Sequence, residues 1–127
     1  MIVVKSIAAV ELLDLPLSIK EQLVEQLLLP WNGQRDEAEK FWGDVSTCLI
    51  LIEPDDTDET LGDVDEGMKT LLAYALDNPE FVIVLPHETD PHVVAVCIHA
   101  DDGGGSYIVG STSNKTGLIK VLIEMAE

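Results

Sequence analysis

Residues 53–67 read EPDDTDETLGDVDEG and hold Glu53, Asp55, Asp56, Asp58, Glu59, Asp63, Asp65 and Glu66 with no Lys or Arg among them. Alternating carboxylates around a sharp glycine turn can wrap a hard cation, as an EF-hand loop does. The register here does not serve that purpose. Counting from Asp56 gives oxygens at Asp56, Asp58 and Thr60, but Leu61 stands at the sixth position, where Gly is required, and Gly67 at the twelfth, where Glu is required. A solvated acidic loop is the expectation, with no resident metal.

Three other constellations bear on chemistry. His87, His92, Cys97 and His99 are of types that bind zinc, yet in an extended strand His92 and Cys97 stand about 16 Å apart, too far to share one ion. Cys97 and His99 would share a strand face with Val93 and Ala95, and His87 and His92 would flank a turn. Neither Cys48 nor Cys97 sits in a basic neighbourhood that would activate a thiolate, and no G-x-S-x-G elbow is present, so no catalytic residue is assigned. The third constellation is Ser111, Thr112, Ser113, Asn114, Lys115 and Thr116, within a stretch, Gly103–Ile123, that contains no acidic residue. A helix beginning there could hold a phosphate. Gly105 and Gly110 have P-loop spacing, but Ser111 replaces the lysine that motif needs.

The elements that would carry these residues follow from periodicity. Ile2–Val10 alternates loosely and is expected as a strand. Ser18 three residues before Glu21 has capping-box spacing, which predicts a helix over Ile19–Leu29 stopped by Pro30 and Trp31-Asn32-Gly33. A second helix, Asp36–Trp42, would present Ala38, Phe41 and Trp42 on one side and stop at Gly43. Val45–Ile52 reads as a strand buried on both faces. Asp63 and Glu66 repeat the capping spacing ahead of Val64, Met68, Leu71, Leu72 and Leu76, so the second half of the acidic run is expected to be a helix start, favoured by the helix dipole. Phe81–Leu85, His92–Ala100 and Tyr107–Val109 are expected to form an antiparallel meander, followed by a helix over Lys115–Met125 capped by Asn114. The expected fold is α+β: one domain over residues 1–127, with a single mixed or antiparallel sheet of four to five strands covered by three to four helices.

Charge then narrows the partners. Twenty-four Asp and Glu against seven Lys and Arg give a formal net charge of −17, while a 46% hydrophobic content supports a real core. Such a field repels nucleic acid and anionic lipid and attracts basic proteins. The N-terminal stretch has neither a signal-peptide nor a membrane-span pattern, which makes a cytoplasmic location the expectation. The function expected is a non-enzymatic acidic protein that blocks a basic partner, such as a nuclease or nucleic-acid-binding protein, in the manner of an immunity protein, an antitoxin or a DNA mimic. It needs no cofactor. Asp55, Asp56, Asp58 and Glu59 would make the first contacts, then Asp63, Asp65 and Glu66, with Trp31 and Trp42 as apolar anchors. The alternatives are a module that holds a phosphate-bearing small molecule at residues 111–116, or an acidic domain whose charge serves solubility alone.

Overall fold

The computed structural model describes residues 1–45, 47–57, 59, 73, 77–98 and 105–126. Among them a single mixed sheet of five strands runs in the order β1-β2-β5-β4-β3: β1 (Ile2–Val4), β2 (Cys48–Leu51), β3 (Val82–Leu85), β4 (His92–Ile98) and β5 (Gly105–Ser111). Among the described residues four α-helices with defined bounds accompany it: α1 (Ile7–Glu11), α2 (Leu17–Leu28), α3 (Arg35–Asp44) and α4 (Gly117–Ala126). This is an α+β arrangement, as the periodicity implied. The expected meander β3-β4-β5 is antiparallel throughout, with Leu85 opposite His92 and Val93 opposite Gly110. β2 joins it in parallel, Leu49 opposite Tyr107, and β1 closes the far edge antiparallel to β2.

Period-two alternation sorts the strand residues into two cores. Leu49, Leu51, Leu85, Val94, Tyr107 and Val109 face α1–α3, where they meet Ile7, Val10, Ile19, Leu23, Leu27, Ala38 and Trp42. Ile50, Ile52, Val93, Ala95, Cys97 and Ile108 face the other way and meet Ile119 and Leu122 of α4. Helices on both faces account for the aliphatic runs in β2 and β5, since a strand covered twice has no polar side to show. Each fully buried Ile or Leu in these layers contributes about 1.5–3 kcal/mol of transfer free energy.

Several boundaries depart from expectation for local reasons. The strand expected over Ile2–Val10 ends at Val4. Ser6 then accepts a hydrogen bond from the Ala9 N–H at 3.1 Å and caps α1, whose Ile7 and Val10 are fully buried on one face. Ser18 does not cap α2. The helix starts at Leu17, with Pro16 supplying the first acceptor to Lys20 N at 3.0 Å, so Ser18 lies inside the first turn. Its expected stop holds: Asn32 and Gly33 adopt left-handed backbone at φ 53° and 81°, and Gly33 N–H returns to the Leu28 carbonyl. Gly43 does not stop α3, which runs to Asp44 and leaves the helix at the extended Val45. The helix expected from Asp63 lies outside the described residues.

Candidate functional site: the acidic turn and the turn beside it

Where β2 leaves the sheet, Glu53-Pro54-Asp55-Asp56 folds into a tight turn. Pro54 presets the backbone angle that the second turn position needs. Asp56 N–H donates to the Glu53 carbonyl at 3.1 Å, and Glu53 N–H donates to Asp56 Oδ2 at 2.8 Å, so the aspartate bonds back onto the turn that carries it. Antiparallel register sets Ile2 opposite Leu51, which brings the Met1 amino group over the same turn. The amine donates to Glu53 Oε2 at 2.8 Å and to Asp56 Oδ1 at 3.0 Å.

This overturns the expectation for Asp56. It is only 6% exposed and is held by an ion pair, so it belongs to the turn's own framework and is unavailable as a partner contact. Burial pushes its carboxyl up, but the bonds from the Met1 amine and the Glu53 N–H outweigh burial and hold it below the usual carboxylate range. The Met1 amine is raised, first by its bond to Asp56 and then by that to Glu53. Asp55 and Glu59 are exposed, as a contact surface requires. Asp58, Asp63, Asp65, Glu66 and His99 lie outside the described residues.

The two tryptophans divide. Trp42 is 4% exposed and stacks on Tyr107, with ring centroids 5.8 Å apart and planes within 9°, so it is a core residue and cannot anchor a partner. Trp31 is half-buried against Phe41, at 5.0 Å between centroids.

The second candidate stretch folds directly beside the first. Ser111 ends β5, Thr112–Ser113 turns with Thr112 N–H on the Pro91 carbonyl, and α4 starts at Gly117 after Lys120 N–H bonds the Thr116 carbonyl. Asn114 does not take the capping role expected of it: its side chain is 6% exposed and donates from Nδ2 to the Glu53 carbonyl at 2.8 Å. That bond fastens the two turns together. Between them Asp56, Thr57, Asn114, Lys115 and Thr116 line a cleft of about 430 Å³.

Chemically the 111–116 stretch is a poor cradle for an anion. The stretch free of acids in sequence is surrounded by them in space. Ser111 Oγ donates to Asp90 and lies 2.7 Å from Ser113 Oγ. The Ser111 and Ser113 bonds hold the Asp90 carboxyl below its ordinary range, so these hydroxyls are committed to a carboxylate. Lys115 is exposed, and Thr116 Oγ1 is buried with no hydrogen-bond partner among the described residues. Gly110 has a packing role: a Cβ there would stand 2.1 Å from Ile119 Cδ1.

His92 is buried opposite Ser111 on β4, with Nδ1 2.9 Å from the Asp90 carbonyl. Burial pushes its pKa down against the opposing influence of Asp90. His87 Nδ1 instead accepts the Thr89 and Asp90 N–H groups at 3.3 and 3.2 Å, which fixes the β3–β4 turn, as its flanking position implied. Cys97 packs with Val93 and Ala95, whereas His92, at the opposite parity, points to the other side of the sheet. Among the described residues no group of three His, Cys, Asp or Glu side chains could hold a metal ion, and no helix is long and apolar enough to cross a membrane.

Sequence reasoning missed the Met1 amine and Asp90. The signal for the first was positional, since the chain start is an edge strand paired to β2. Asp90 has no local signal, because it reaches Ser111 only through strand pairing. No protein family, curated protein or solved structure matches the chain.

Proposed function

We propose that the protein is an acidic binding domain that occupies the basic surface of another protein and blocks it, in the manner of an immunity protein, antitoxin or nucleic-acid mimic. The observation that supports this reading is how much of the charge is left unspent. Among the described residues, ion pairs engage Glu11 and Glu39 with Arg35, and Glu53 and Asp56 with the Met1 amine. Glu21 and Glu25 on α2, Asp36 and Glu37 on α3, and Asp55 and Glu59 are exposed and outside those pairs. A surface of this kind steers lysine- and arginine-rich partners and rejects acidic competitors.

The phosphate-module reading has the 430 Å³ cleft and Lys115 in its favour; against it stand the Asp56 carboxylate in the cleft wall and the commitment of Ser111 and Ser113 to Asp90, so it is our second reading. The deciding experiment immobilises the domain and washes it with the host's own lysate. Basic proteins should stay at low salt and leave at high salt, and Asp55→Asn with Glu59→Gln should speed their release. Retention of no basic protein, or a variant that performs like the parent, would sink the proposal.

A further inference from the structure

α2 buries Ile19, Leu23 and Leu27 against the sheet, yet its outer face is not polar throughout. Leu17, Val24 and Leu28 recur at i, i+7 and i+11, so they form one stripe along the helix, exposed at Leu17 and half-buried at Val24 and Leu28, whose inner sides pack on the core. Leu17 is 69% exposed and Leu29, in the 3-10 turn that follows α2, 63%. Two hollows lie along it. One of about 290 Å³ is bounded by Glu11, Leu17, Lys20, Glu21 and Val24. The other, of about 570 Å³, continues from Glu21 and Val24 to Leu28, Leu29 and the left-handed Asn32–Gly33 turn. The two hollows share Glu21 and Val24 and follow one another along α2, whose twelve residues span about 18 Å, three helical turns; together they are termed the groove.

We infer that this groove docks one amphipathic helix of a partner protein, with apolar residues at helical spacing and Lys or Arg beside them. Charge complementarity selects that occupant. Glu21 and Glu25 rim the groove, exposed and outside the ion pairs of the described residues, while the nearby Lys20 ammonium is turned onto the Glu11 carbonyl at 3.2 Å. A second copy of this chain would bring another net −17 against the first, and an anionic bilayer would meet the same repulsion. A helix of basic and apolar residues meets neither cost, and its apolar side chains fill hollows that the fold leaves open, as in other helix-in-groove recognition. The inference rests on the proposed reading of the protein as a binder of basic partners, and it moves the apolar anchor from the tryptophans to α2.

Three labelled peptides of about 18 residues test it by fluorescence anisotropy at low salt. One is built of Leu and Lys with the leucines at i, i+3, i+4 and i+7, one has the same composition in strict alternation, and one is oligolysine. The helical peptide should bind about tenfold or more tighter than its alternating isomer. Leu17→Ser with Leu29→Ser should remove that advantage and leave oligolysine binding unchanged, and Leu12→Ser, exposed but outside the groove, should do nothing. Equal binding of the two Leu–Lys isomers, or a groove variant that binds like the parent, overturns the groove and leaves the acidic-binder reading standing. Failure of all three peptides to bind overturns both. A dimer in sedimentation that Leu17→Ser dissociates assigns the face to self-association and likewise overturns the inference.

Discussion

Asp56 and Asp55 are neighbours of one type with different duties, and substitution should separate them. Asp56→Asn removes a buried carboxylate from the Met1 amine, so it should cost about 1–3 kcal/mol in denaturant unfolding. Asp55→Asn and Glu59→Gln, at exposed positions, should change stability by no more than about 0.5 kcal/mol. Equal effects at all three positions would contradict the geometry of the turn. His92 carries a prediction about pH. Its folded pKa is lowered by burial, so the stability it contributes is complete above the ordinary histidine value and is lost as pH falls below it. Between about pH 7.5 and about pH 5.5, above the range of ordinary carboxylates, the melting temperature of the parent should fall relative to His92→Gln. A constant gap between the two would refute this.

At the scale of elements, Gly110 links β5 to α4. Ile119 is fully buried and occupies the space that a methyl group at residue 110 would need. Gly110→Ala should therefore destabilise the fold by about 1–3 kcal/mol, and adding Ile119→Val should restore part of the loss. Full stability of the single variant would show that α4 can yield without cost. The elements legible in the sequence were those that periodicity marks strongly: α2, β2, the meander and α4. The misread ones turned on single side chains. Ser6 diverted the first strand into α1, Pro16 took the start of α2 from Ser18, and Gly43 stayed helical. The acidic run was legible as charge. Its division into an internal Asp56 and an exposed Asp55 was not, because that depends on a strand pairing more than forty residues distant, Ile2 with Leu51. The apolar stripe of α2 was in plain view, but leucines at helical spacing look alike whether they face a core or a groove until the sheet is placed.

Over the whole molecule, a net charge of −17 with so few ion pairs among the described residues means that the folded state works against its own field. Raising salt from about 10 mM to about 150 mM shortens the Debye length from roughly 30 Å to roughly 8 Å, so the melting temperature should rise. A flat or falling melting curve over that range would contradict the repulsion. The strand order also implies a sequence of assembly. β3, β4 and β5 pair with their nearest neighbours along the chain, while β2 must find β5 across a long sequence separation, Cys48 against Ser106, and β1 must then find β2. Closing long loops before contacts reward them is entropically expensive. The meander is thus the natural nucleus, and the β1 edge, with its amine clasped to the acidic turn, comes last. In stopped-flow chevrons, Val94→Ala in the meander should mainly slow refolding, whereas Asp56→Asn should leave refolding nearly unchanged and quicken unfolding. The reverse pattern would place the nucleus at the chain's beginning. With the expected pattern, the clasp sets how long a folded molecule lasts without affecting how fast it forms.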